Sequence, residues 1–167
     1  MTETLERTTP AALQYSTENC QIGRALEILG EKGAFIVLRE AFNGVTRFDD
    51  MQRHSGLSRQ VLSNRLALLV DQGILRRNAY QDNGSRTRHD YRLTGKGLDL
   101  YPTLAALSDW GARYCADADG PAVQIAHRGC GGQVHAALVC DVGHPVAAPR
   151  DVAPQPGPGA RRVKAQN

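Results

Sequence analysis

The apolar positions of this chain change their period several times, and each change marks an element. Ile22, Leu26 and Leu29 recur at helical spacing and predict a first helix over 20–29 with these three side chains as a buried stripe. Gly30-Glu31-Lys32-Gly33 interrupts it. Residues 34–42, apolar through Phe35-Ile36-Val37-Leu38, predict a helix at the centre of a domain, because a helix with so little polar face is covered on most sides. A short helix opens with Arg47-Phe48-Asp49-Asp50-Met51, and His54-Ser55-Gly56-Leu57-Ser58 makes a glycine turn. Over 58–72, Leu62, Leu66, Leu69 and Val70 build one apolar stripe behind an N-cap at Ser58. Gly73 ends that helix as its C′ residue. Two strand-like segments, 74–80 and 88–93, flank a turn-rich tip containing Asn83-Gly84-Ser85 and predict a β-hairpin.

After the hairpin, Thr94 is placed to cap one long helix from Gly95 to about Cys115. Leu100, Tyr101, Leu104, Leu107, Gly111 and Tyr114 recur along it at i, i+3, i+4 spacing, with Leu98 and Trp110 beside them. That is more apolar surface than one small domain buries, which predicts a homodimer. From Asp117 the composition shifts to a linker. Val123-Gln124-Ile125 and 134–139, separated by glycines, predict a small hairpin. Pro149, Pro154, Pro156 and Pro158 then mark a segment that cannot bury a core. The expected organisation is a flexible arm (1–18), a winged helix DNA-binding and dimerisation domain (19–116), a small β-hairpin appendage (117–146) and a disordered Pro/Gly-rich tail (147–167). The fold class is α+β and mostly α.

The helix over 58–72 carries the candidate chemistry. Its solvent side holds Gln60, Ser63, Asn64 and Ala67, with Ser58, Arg59 and Arg65 alongside. Gln and Asn can pair with adenine edges and Arg with guanine or phosphate, while a small Ala allows close approach to a major groove. An ordinary solvated helix face would look similar, so the context decides. A helix, a tight turn, a second helix and a hairpin make a winged helix-turn-helix, and Arg86 and Arg88 near the wing tip suit phosphates or a minor groove. The net charge of +3 is small, but between Arg47 and Arg92 nine arginines face five acids. Positive charge is thus concentrated where DNA would dock.

Arg47-Phe48-Asp49, Gly56-Leu57-Ser58 with Val61-Leu62 and Arg65-Leu66, Gly73-Ile74-Leu75, and Tyr91-Arg92-Leu93-Thr94-Gly95-Lys96-Gly97 together resemble the HxlR family of bacterial transcriptional regulators, relatives of the MarR-type winged-helix proteins. The resemblance spans roughly residues 20–114. It implies a homodimer with one recognition helix and one wing per subunit, on a roughly palindromic double-stranded operator whose half-sites lie about one DNA turn, ~34 Å, apart. The resemblance implies a repressor or an activator; the one expected here is a repressor released by a small molecule or a thiol-reactive signal, with no required cofactor.

Four further expectations concern regulation. Cys20 matches a cysteine that serves some family members as a sensor. A helix N-terminus would favour its thiolate, although a half-buried cysteine packing as a small apolar side chain reads the same way. Gly33 stands where the family usually has Trp, leaving either a vacancy that enlarges an effector pocket or a space filled by neighbours. Phe35, Trp110 and Tyr114 are the aromatic candidates for lining that pocket, or are simply core and dimer side chains. His127, Cys130, Cys140 and His144, spaced His-x2-Cys, nine residues, Cys-x3-His, could supply a tetrahedral structural zinc, or the hairpin could carry free thiols.

Other function classes fit less well. No nucleophile-elbow pattern and no glycine-rich loop between strand and helix points to an enzyme. A protein-interaction or metal-binding module on the C-terminal hairpin is the alternative reading. No run approaches the ~20 apolar residues of a membrane span, and residues 1–19 lack a signal-peptide pattern, so the expected location is the cytoplasm with reduced cysteines.

Overall fold

The computed structural model describes residues 16–81 and 88–162. Residues 1–15 of the expected arm (1–18), the wing tip with Arg86, and residues 163–167 lie outside them; Thr17–Asn19 form a 3-10 turn. The described chain forms two compact units: Ile28–Ala136, and the described parts of Met1–Glu27 with Ala137–Asn167.

The larger unit is built around α2 (Lys32–Phe42), α3 (Phe48–Ser55) and α4 (Arg59–Asp71). Val37 and Leu38 of α2, Met51 of α3, and Leu62, Leu66 and Leu69 of α4 share one core with Ile74 and Leu75, and all are essentially excluded from solvent. The stripe expected on 58–72 is therefore the buried face of α4. Ser58 caps it, its hydroxyl accepting from the Val61 N–H at 3.3 Å. Gly56 and Gly73 take φ of +66° and +67°, the left-handed values that let the chain turn sharply between α3 and α4 and out of α4.

The wing pairs β1 (Leu75–Tyr80) antiparallel with β2 (Arg88–Leu93) in a register from Leu75 opposite Leu93 to Tyr80 opposite Arg88. The segment before α3 adds a single β-bridge to this two-stranded sheet: the Tyr91 N–H donates to the Thr46 carbonyl at 2.8 Å, and Arg47 bridges Asp90. This ties wing and helix-turn-helix together.

Three expectations are revised. The helix after the wing is two helices, α5 (Gly95–Leu98) and α6 (Tyr101–Tyr114). Thr94 caps α5 as expected, accepting from the Gly97 N–H at 3.1 Å. The break follows from Pro102, which lacks an N–H and suits a first turn; within α5, Gly97 passes so close to the residue ahead of β1 that a Cβ would stand 2.3 Å from the Ile74 carbonyl oxygen. Second, α1 (Gln21–Leu29) buries only Leu29, and Ile22 and Leu26 are 66% and 54% exposed. Third, the C-terminal hairpin is β3 (Leu138–Val139) with β4 (Pro145–Val146). Residues 123–125 and 134–139 do not pair as strands and meet only around an Ala126–Gln133 bridge. The Gly129-Cys130-Gly131-Gly132 run closes that bridge as a tight loop, with Gly131 at φ +70°.

In the smaller unit, residues 147–162 form a 3-10 turn at Pro149–Asp151 and otherwise irregular backbone. The Ser16 N–H donates to the Arg161 carbonyl, and the Asn19 amide to the Gly159 carbonyl. This part of the expected free tail is therefore bonded to the N-terminal segment. Among the described residues no helix is long and apolar enough to cross a membrane.

Candidate nucleic-acid interface

Burying Leu62, Leu66 and Leu69 on one side of α4 forces Gln60, Ser63, Asn64 and Ala67 to the other, where all four are exposed. The Gln60 amide donates to the Asn64 side-chain oxygen at 2.8 Å, one helical turn away. This pair pre-orients two amides capable of reading base edges. Ser58 is committed to its cap, so its part here is to hold the N-terminal turn of α4.

Arg59 stands at that turn. Its guanidinium lies over the Phe48 ring at 4.8 Å and 3.6 Å from the Asp49 carboxylate, so it is held over α3 while still largely exposed. Across from it Arg47 lies over the Tyr80 ring at 5.2 Å. Together with Arg53 and Arg88 these side chains line a concave surface of about 620 Å³ between α3, the start of α4 and the wing. Four arginines there face Asp49 and Asp50, and Arg53 is paired with Asp50. The surplus positive charge, the N-terminal dipole of α4 and the exposed amide face suit a phosphate backbone running past a helix seated in a groove.

Of the residues expected to contact DNA, Arg59 and Arg88 share the concave surface, and Gln60, Ser63 and Asn64 lie on the exposed side of α4. Arg86 lies outside the described residues. Arg65 is placed differently: its guanidinium pairs with Glu31 and its stem packs on Gly33, leaving its side chain only 18% exposed. The sequence reading missed Arg47, Arg53, Tyr80 and His89 as members of this surface. The alternation of arginine with Phe48 and Tyr80 was the available signal, since stacking fixes a guanidinium without neutralising it.

Asp90 supports the wing from inside the sheet. Burial pushes its carboxyl up, but hydrogen bonds from Arg92 and Asn78 and the charges of Arg92 and Arg76 outweigh that and hold it below the usual 3.8. The Arg92 Nε–H donates to it at 2.8 Å.

The expected regulatory residues separate. Cys20 is half-buried, directly ahead of α1, and its carbonyl accepts the Arg24 N–H, which is the helix-start position anticipated for it. Phe35 lines a cavity between α2 and α6. Gly33 does not, because Arg65 occupies the space beside it. Trp110 and Tyr114 also lie away from that cavity, with rings 5.4 Å apart on the exposed side of α6. Of the expected zinc ligands, His127 Nδ1 and Cys130 Sγ come within 3.4 Å in the larger unit. Cys140 and His144 belong to the β3–β4 turn of the smaller one, where the Cys140 N–H donates to the His144 carbonyl. Among the described residues no three His, Cys, Asp or Glu side chains gather as a metal site. The Cys140 thiol is held below its ordinary value by N–H groups of the turn, that of His144 foremost, then that of Val142.

Comparison with known proteins places the same region in a family context. The model of the HxlR-like helix-turn-helix family matches residues 28–119. The chain is 40% identical over 148 residues to Rv3095 of Mycobacterium tuberculosis, an uncharacterised HTH-type transcriptional regulator, covering 88% of this chain and 92% of that protein. It is similar to the crystal structure of PA1607, a candidate transcription factor, with a TM-score of 0.71 at 31% identity over 83% of this chain and 95% of that one. It is also similar to PA1374 of Pseudomonas aeruginosa, another candidate transcription factor, with a TM-score of 0.59 at 32% identity over 84% and 94%.

Proposed function

The chain belongs to the HxlR-like helix-turn-helix family of transcriptional regulators, and we propose that it acts as a homodimeric repressor on a roughly palindromic operator, released by a signal that changes the spacing of its two recognition helices. The observation that supports this best is the pairing of an exposed polar side of α4, with Gln60, Ser63 and Asn64, and a concave surface between α3, the start of α4 and the wing that Arg47, Arg59 and Arg88 line. In this reading α4 enters the major groove, where the amides read bases. The stacked arginines neutralise phosphates on either side, and the wing follows the neighbouring backbone.

Dimerisation is supported by α6. Leu107, Trp110 and Tyr114 repeat at i, i+3, i+7 and are 48%, 57% and 64% exposed. Three large apolar side chains in one row are a costly surface to leave in water and a natural seam for a second copy. Two copies related by a two-fold axis would present two α4 helices to one face of a duplex.

Selection of bound duplexes from a randomised pool tests the proposal. The expected product is a two-fold symmetric motif with half-sites about one turn apart. A single asymmetric site, or no motif, would overturn the dimeric operator reading.

A further inference from the structure

The larger unit holds a second concavity that the DNA-binding face does not use. It measures about 340 Å³ and lies between α2 and α6, roofed by Val123-Gln124-Ile125. Phe35, Ile36 and Phe42 wall it from α2, and Tyr101 and Leu104 from α6, with the Phe42 and Tyr101 rings 5.1 Å apart. On α6 it is lined by residues 101, 104, 107 and 108, so Leu107 is shared between the cavity and the row 107, 110 and 114, and the cavity lies beside the dimer seam. The volume suits a small organic molecule.

One cation serves these apolar walls. Arg39 lines the cavity, and its Nε and one terminal nitrogen donate to Glu40 Oε1 at 2.8 and 2.5 Å, while its side chain remains 43% exposed. Glu40 is only 4% exposed, and its other oxygen stands 3.2 Å from His54 Nδ1, in the last turn of α3. One buried carboxylate therefore joins an arginine at the cavity to the first helix of the helix-turn-helix.

We propose that this cavity binds an aromatic carboxylate: its ring lies between Phe35 and Leu104, and its carboxylate takes the free edge of Arg39. A ligand anion on that edge draws the guanidinium away from Glu40, and Glu40 then leans on His54, which shifts α3 and the recognition helix it supports. A ligand biases a regulator only through such a difference in contacts between two states. The binding itself is independent of the regulator reading above; its effect on DNA rests on that reading.

The test uses 2-naphthoate and its uncharged counterpart 2-naphthamide, titrated by calorimetry into the full chain without DNA. Saturable naphthoate binding at least tenfold tighter than naphthamide is expected, and Arg39→Met should abolish the difference. Because removing Arg39 also strips Glu40 of a partner, Ser108→Trp, which fills the cavity from α6, serves as a second variant and should remove naphthoate binding by at least tenfold. Equal affinity for acid and amide, or naphthoate binding unchanged by Ser108→Trp, overturns the site. Absence of binding, as when a second copy's side chains occupy the cavity, overturns it too. With an operator fragment added, naphthoate should weaken DNA binding in the wild-type chain and not in His54→Leu, with naphthoate affinity within twofold of wild type. An equal effect in both would overturn the Glu40–His54 route while leaving the site. Failure of operator binding in the absence of ligand would instead count against the regulator reading alone.

Discussion

Arg65 lays its Cγ 3.2 Å from where a Cβ on Gly33 would stand, and its guanidinium pairs with Glu31 at the entry to the same helix. The sequence alone left open whether the glycine creates a void or a neighbour fills it. The neighbour fills it, with the apolar stem of an arginine whose charge reaches outward to an acid.

This exchange predicts coupling between the two positions. Gly33→Trp should displace Arg65, break its pairing with Glu31 and destabilise the domain by about 1–3 kcal/mol, the usual cost of overpacking. Arg65→Ala should cost less, and the double variant should recover much of the loss from Gly33→Trp. Urea denaturation of the four proteins measures the cycle, and strictly additive losses would refute the coupling.

The arginines and amides of the interface should separate by their effect. Arg47→Ala and Arg59→Ala are expected to weaken binding about equally on all DNA sequences and to reduce the salt slope by roughly one each. Asn64→Ala should cost about 1–3 kcal/mol on the preferred sequence and little on others, flattening the preference. Phe48→Leu, which removes the stacking platform, should act as a weaker version of Arg59→Ala. Fluorescence anisotropy with specific and scrambled duplexes reads all four variants. A sequence-selective loss from Arg59→Ala would reverse the assignment.

Asp90 gives the wing a pH signature. Its carboxyl is depressed in the folded chain, so its contribution to stability is fully present above the unfolded value near 3.8 and is lost as pH falls through the folded one. Wild-type stability should therefore fall more steeply on acidification below about pH 4 than that of Asp90→Asn, which should already be less stable at neutral pH. Denaturation at a series of pH values tests this, and parallel curves would show that Asp90 carries no such linkage.

Cys140 should react faster folded than unfolded. The N–H groups of the β3–β4 turn favour its thiolate, so iodoacetamide should label it at neutral pH more quickly in the native chain than in urea. Timed alkylation with peptide mass analysis resolves this residue from the other cysteines. A slower native rate would mean that the turn shields the sulfur more than it activates it.

The helix-turn-helix was legible because its signals are local. Period, cap and left-handed glycine all sit within a few residues of the structure they specify, as at Ser58, Gly56 and Gly73. What the sequence hid depends on distant partners. The stacking of Arg47 on Tyr80 joins residues 33 positions apart, and Arg65 reads as a groove contact until Gly33 and Glu31 are brought beside it. The single long helix expected after Thr94 failed for a different reason: Pro102 is a local signal for a new first turn, and the apolar period runs straight across it.

Titration of the purified protein against its own upstream intergenic DNA, with scrambled duplex as competitor and at several salt concentrations, tests sequence-specific DNA binding most directly. Binding should survive competitor and weaken steeply with salt, because base contacts from α4 add to phosphate neutralisation by the arginine rim. Binding no tighter to that DNA than to scrambled sequence, together with failure to select any motif from random duplexes, would contradict it.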